Sequence, residues 1–154
     1  MITSEWLLGI NKPDLQEVHN IRQAVFCEEQ KIDKAVEQDG LDESAVHLLI
    51  SYQGIPAATG RLLITADDFV LGRIAVLPKF RSKKLGDLAV RLLIRMAFNM
   101  GGDRQIVHAQ LSVRGFYEKL GFAAIGDVYE EAKIPHITME RFGDIFGTCE
   151  INNP

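Results

Sequence analysis

Apolar residues recur along this chain at two spacings, and the change from one to the other predicts its elements. Leu15, Val18, Ile21 and Val25 fall three and four positions apart, the period of one helix face, and place a first helix that reaches about Gln30. Asp14, with Glu17 three residues on, has the form of an N-cap and its capping-box partner. Leu85, Leu88, Leu92, Leu93 and Met96 mark the apolar face of a later helix, with Arg91, Arg95 and Asn99 opposite and Gly101-Gly102 as its stop. Between these lie runs rich in β-branched and aromatic residues, at 5–10, 45–52, 55–65, 69–77, 105–111, 123–129 and 136–141, which read as strands. Gln53-Gly54 is a hairpin signal, and Pro78 ends the strand before it because it cannot donate to a ladder. Ser112 is placed to cap a short helix through Leu120. Gly121 takes the left-handed position after it, turning Phe122 back onto Phe116 or Tyr117. Residues 31–43 are polar and acid-rich, a loop or broken helical piece, and the tail after Gly143 carries no clear pattern.

The resulting order, β-α-β-β-β-α-β-α-β-β, implies an α/β (α+β) chain: a mixed, largely antiparallel sheet of about six to seven strands flanked by about four helices. No repeat, linker or low-complexity tract divides residues 1–154, so one domain is expected.

Composition narrows the function classes. A 47% hydrophobic, 25% charged chain is that of a soluble globular protein. A net charge of -4 argues against nonspecific nucleic-acid binding, which leans on broad positive fields. No apolar run approaches the ~20 residues that cross a bilayer, and no secretory signal opens the chain. A cytoplasmic location is therefore expected, with Cys27 and Cys149 as reduced thiols. The four histidines lack metal-ligand spacing, so no metal is expected. Cys27 lies beside two glutamates that would raise its pKa, which argues against a nucleophile.

Against the acidic whole, Val76-Leu-Pro-Lys-Phe-Arg-Ser-Lys-Lys-Leu-Gly86 collects Lys79, Arg81, Lys83 and Lys84 at the start of a helix. A helix N-terminus offers unpaired N–H groups and partial positive charge, a natural seat for phosphate. A solvated basic turn is the plainer alternative. Arg61 and Arg73 fall inside strands, where a charge needs a partner or a cleft; loop carboxylates and an anionic acceptor are both open to them. Asp33, Glu37, Asp39, Asp42 and Glu43 could steer a cationic amine, or form an ordinary solvated loop.

Three segments together resemble the GNAT family of N-acetyltransferases. Val76, Pro78, Arg81 and Gly86 match the family's acyl-CoA pyrophosphate loop, with Lys84 where its first glycine is expected. Phe116-Tyr117-Glu-Lys-Leu-Gly-Phe122 looks like the family's FYxKxGF signature. Val25-Phe26-Cys27-Glu28-Glu29-Gln30, Asp39-Gly40-Leu41-Asp42, His47 and Ile134-Pro135-His136-Ile137 resemble its ElaA-like, YjcF-like branch.

The resemblance implies acetyl transfer from acetyl-CoA to a primary amine, on a small molecule or a protein, directly within a ternary complex. It also implies a V-shaped opening between two central parallel strands, with the thioester arm beside Ile74, Ala75 and Val76. The pyrophosphate would sit on backbone N–H groups of Arg81, Ser82, Lys83, Lys84, Leu85 and Gly86. Gln110 stands where many members carry an asparagine for the pantetheine arm. Tyr117 occupies the slot of the general acid that protonates the CoA thiolate. Glu29 is the candidate base, with His47 and His136 beside it and His108 behind them. Homodimers are common in the family. The rival reading is a non-catalytic acyl-CoA-binding module, which Lys84 and the missing obvious base favour.

Overall fold

The computed structural model describes residues 1–145, so Cys149 and the end of the tail lie outside the described residues. Seven strands form one sheet: β1 (Ile2–Leu8), β2 (Val46–Tyr52), β3 (Ile55–Ile64), β4 (Phe69–Val76), β5 (Arg104–Gln110), β6 (Ala123–Glu131) and β7 (Ile134–Phe142), in the spatial order β1-β2-β3-β4-β5-β7-β6. Every neighbouring pair is antiparallel except β4 and β5, which run parallel. Their pairing is short. Phe69, Val70 and Leu71 face Gln105, Ile106 and Val107, and beyond them the two strands diverge. That divergence is the expected V-shaped opening.

Alternation along the strands sends successive side chains to opposite faces, and each face buries a different layer. Leu48, Ile50, Leu62, Leu71, Val107, Ile137 and Met139 pack beneath α3 (Leu85–Asn99), whose Leu85, Ala89, Val90, Leu93, Ile94 and Ala97 are buried. On the other face Leu49 and Ala75 meet Leu15, Val18, Ile21, Val25 and Phe26. α4 (Arg114–Glu118) follows a 3-10 turn at Leu111–Val113 and joins the first layer through Tyr117.

The predicted helix ends need correction at two caps. The stretch before α1 (Gln16–Arg22) is a 3-10 turn over Lys12–Leu15, so Asp14 lies within it and Leu15 holds the cap position without a side-chain bond. Ser112 lies within the 3-10 turn before α4 and makes no cap bond; Val113 is the N-cap. The first helix does not continue regularly to Gln30. It widens over Gln23–Glu29 into π winding, closed by Gln30 N–H donating to the Val25 carbonyl at 3.1 Å. Such widenings are frequent at functional sites. The Gly121 turn is as expected: its φ is +91°, and Phe122 N–H donates to the Tyr117 carbonyl at 3.1 Å. The Phe122 ring meets Tyr117 edge to face at 5.6 Å.

Three carboxylates of the acid-rich segment, Glu37, Asp39 and Asp42, are neither free in solvent nor available as an anionic lure, while Asp33 and Glu43 are exposed. Around α2 (Lys34–Glu37) these three fold onto arginines of the sheet and of α1. Arg22 binds Glu37 and Asp42, Arg61 grips Asp39 with both Nη atoms (2.9 and 2.8 Å) and Asp42 at 3.0 Å, and Arg73 reaches Asp39 at 3.2 Å. Of the two partners open to Arg61 and Arg73, the loop carboxylates are the ones found.

Candidate active site

Where β4 leaves β5, its backbone edge is uncovered. Leu77 N–H donates to the Ala57 carbonyl of β3 at 2.9 Å. In an antiparallel ladder the next residue turns its N–H and C=O the other way, so those of Val76 point into the opening. The Val76 carbonyl confirms this direction by accepting from Arg81 Nε at 3.1 Å. Arg73, at φ +47°, sits in the irregular register that bends β4 opposite Gly60.

A cleft of about 750 Å³ opens here, bounded by Val25 and Gln30 on one side and by Ile74, Ala75, Val76, Arg81, Lys84 and Gly86 on the other. Asp87, Arg91, Phe116 and Lys119 complete its wall. Of the basic loop's side chains, Lys83 leaves the cleft to lie over the Tyr52 ring at 5.1 Å, and Leu85 is buried in the core. Ser82 is likewise not among the lining residues, so it, Lys83 and Leu85 are left with their backbone groups as what they could offer a ligand. Lys84 adopts φ +59°, ψ +30°, the left-handed conformation, which explains why glycine is the expected residue at that position. An added Cβ at Gly86 would come no nearer than 3.7 Å to Val76, so the fold does not itself demand glycine there. The space belongs to the cleft, and it fits a phosphate-bearing arm lying against backbone.

Arg91 and Lys119 join Arg81 and Lys84 as cations around this cleft, and sequence reasoning missed both. Arg91 was visible only as a polar position on α3, where it pairs with Asp87 at 2.7 Å. Lys119 was visible as the lysine of the FYxKxGF signature.

A second cavity of about 500 Å³ lies on the sheet face covered by the acid-rich segment. It shares Gln30 and Ile74 with the first, so the two meet at the splay. Apolar residues Phe26, Ile32, Val36, Leu63 and Val70 line it together with Gln110, His108, His136 and Tyr117. The Tyr117 side chain is almost fully buried between Phe116 and Phe122, and burial pushes its pKa up, so its hydroxyl remains a proton donor. Gln110 lies on this second side, where its Nε2 donates to Gln30 Oε1 at 2.9 Å.

Glu29 is held elsewhere. Both Nη atoms of Arg81 donate to its carboxylate, the longer bond being 2.7 Å. Those bonds lower the pKa of Glu29, which makes it a weaker base than a free glutamate. Thus Glu29 and Gln30, consecutive at the end of the π winding, tie to opposite arms of the V.

His47 is fully buried with Nε2 at 2.9 Å from the Asp42 carbonyl, and burial lowers its pKa. It lines neither cavity. Burial and the nearby Glu37 raise the Cys27 thiol pKa. Among the described residues no cluster of histidine, cysteine and acids could hold a metal, and no helix is long and apolar enough to cross a membrane.

Comparison with known proteins places these features in a wider group. Residues 11–141 match the model of the acetyltransferase (GNAT) domain. The uncharacterized protein YyaT of Bacillus subtilis is 34% identical over 131 residues, covering 83% of this chain and 88% of YyaT. The uncharacterized N-acetyltransferase YjcF of the same organism is 28% identical, covering 88% of this chain and 97% of its own. The crystal structure of Escherichia coli ElaA superposes with a TM-score of 0.82 at 28% identity, covering 92% of this chain and 99% of ElaA.

Proposed function

The chain belongs to the GNAT acetyltransferase family and is ElaA-like and YjcF-like, and from that premise we propose that it transfers an acetyl group from acetyl-CoA to a primary amine directly, within a ternary complex. The observation that carries the reading is the uncovered Val76 edge in a basic cleft, which meets a Tyr117-lined cavity at Gln30 and Ile74. Acetyl-CoA would supply an acetyl group activated as a thioester.

The chain's own groups divide the remaining work. Backbone N–H groups from Arg81 to Gly86, with Lys84, Arg91 and Lys119 nearby, are suited to the pyrophosphate and the 3′-phosphate. Ile74 and Ala75 flank the thioester arm, and the Val76 N–H polarises the carbonyl. One such preorganised donor is worth roughly 2.7–4 kcal/mol in a transition state. Tyr117, kept protonated by burial, gives its proton to the departing thiolate. The acceptor amine approaches through the second cavity. Its apolar walls favour a small amine with an apolar body.

Calorimetric titration of acetyl-CoA into the wild type and Gly86→Ala tests the donor half. Micromolar binding by the wild type, weakened in a variant of unchanged thermal stability, is expected, because the new methyl meets the ligand rather than the protein. CoA release with phenethylamine, aniline and a lysine-containing peptide tests the acceptor half. Turnover should fall ~10²-fold or more in Tyr117→Phe. Binding without CoA release from any amine would favour the non-catalytic acyl-CoA-binding module. Absence of binding would remove the donor assignment.

A further inference from the structure

An alkylamine is protonated near neutral pH and must lose a proton before its nitrogen can attack. Glu29 is engaged by Arg81, and His47 lines neither cavity. Two histidines do line the acceptor cavity, and they differ in how their protons are placed. His108 Nδ1 lies 3.0 Å from the Thr138 hydroxyl, which can donate or accept, so neither tautomer is imposed.

His136 Nδ1 lies 2.7 Å from the Ile134 carbonyl oxygen, which only accepts. Nδ1 therefore carries the hydrogen, and the lone pair of the neutral ring is on Nε2. The ring is 7% exposed and stacks on Tyr129 at 5.9 Å, which fixes its orientation. Nε2 lies 3.5 Å from the Glu131 carboxylate, which is itself exposed. That exposed carboxylate gives a proton that has reached Nε2 a path to solvent. The other charged groups lining the cavity, Glu37, Asp39, Arg61 and Arg73, belong to the paired network. His136 also faces Gln110 across the β5–β7 ladder, beside the junction of the two cavities.

We propose that His136 Nε2 is the proton acceptor for the incoming amine, with Glu131 passing that proton on to solvent, an inference that rests on the acetyl-transfer reading. The ammonium gives one proton to Nε2. The freed lone pair forms the C–N bond as the C–S bond breaks, and the thiolate takes the Tyr117 proton. Tyr117 recovers a proton from the new nitrogen substituent, leaving a neutral amide, and His136 releases its proton past Glu131.

Steady-state turnover of two probe amines separates this role from a structural one. Phenethylamine is protonated near neutral pH, whereas aniline is already neutral. His136→Gln should lower kcat/KM for phenethylamine ~10²-fold while leaving aniline nearly unaffected. The wild-type pH profile for phenethylamine should lose its histidine limb and follow the free-amine fraction alone. Glu131→Gln, an exposed change, should produce a loss of up to about fivefold, again confined to phenethylamine. Equal losses for both amines, or none, in the two variants would overturn the inference and leave the acetyl-transfer reading standing. A wild type that turns over neither amine would overturn the inference, and one that also fails with the lysine-containing peptide would overturn both.

Discussion

Arginine–carboxylate pairs border both cavities, and their surroundings set them apart. At the first cleft, Arg81 and Glu29 are 44% and 41% exposed and hold each other directly at the solvent-facing surface. Over the second cavity, Arg22 and Arg61 are 1% and 5% exposed and share Glu37, Asp39 and Asp42 with Arg73. An exposed pair is screened by water and contributes little, so it can exchange a carboxylate for a phosphate readily. A buried network cannot exchange anything. Arg22, Arg61 and Glu37 there have been taken out of water and depend on their partners. One arrangement therefore suits a ligand that comes and goes, and the other a wall that must stay in place.

Removing one arginine from each group gives the largest contrast. Arg61→Met leaves Asp39 to Arg73 and the Leu41 N–H and leaves Asp42 to Arg22, and should destabilise the fold by about 3 kcal/mol, the lower end for breaking a buried pair, in urea denaturation. Arg81→Met should change stability far less and weaken acetyl-CoA binding instead. Equal destabilisation by the two variants would mean that burial does not distinguish them.

Acid sharpens the same comparison with a smaller effect. Burial alone would raise the pKa of Asp39, but hydrogen bonds from Arg61 and the Leu41 N–H, with the charges of Arg61 and Arg73, hold it down to about 2. A carboxylate with a depressed folded-state pKa favours the fold while ionised in both states. Its contribution is complete above its unfolded pKa near 4 and fades as pH falls towards about 2. Asp42 is shifted in the same direction, against its own burial, by Arg22 and Arg61. Asp39→Asn should therefore flatten the dependence of stability on pH between about 4 and 2. Thermal unfolding across that range would read it, and an unchanged slope would show that Asp39 is not ionically engaged in solution.

The parts of this architecture legible in the sequence are those written in local periodicity or in short-range backbone chemistry. Leu85, Leu93 and their neighbours announced α3 because one helix face meets one sheet face. Gly121 and Phe122 announced the turn behind Tyr117 because a left-handed residue and its hydrophobic return contact lie side by side. The basic loop stood out because its charge opposes that of the chain. The network was not legible, since Arg22, Glu37, Asp42 and Arg61 come from separate segments and meet only through the fold. Neither was the π winding at Gln23–Glu29, because an apolar period of three and four continues smoothly into it. It is this winding that turns Glu29 towards Arg81, a contact no local pattern could announce.

That contact supplies the finest test of the difference between the two groups. Glu29 holds both Nη atoms of Arg81, a cation positioned for a phosphate. A donor that uses Arg81 must displace it, and the displaced interaction is subtracted from the affinity. Glu29→Gln removes the competing charge while keeping the side chain's shape. Calorimetry should then show acetyl-CoA binding tighter by up to about fivefold, the scale of an exposed pair, with the gain shrinking as salt rises. The turnover rate separates this from the other role assigned to Glu29 by resemblance. A base would take kcat down ~10²-fold when neutralised. A competitor for Arg81 would leave kcat nearly unchanged while the apparent donor KM falls, because its influence ends once the phosphate is seated.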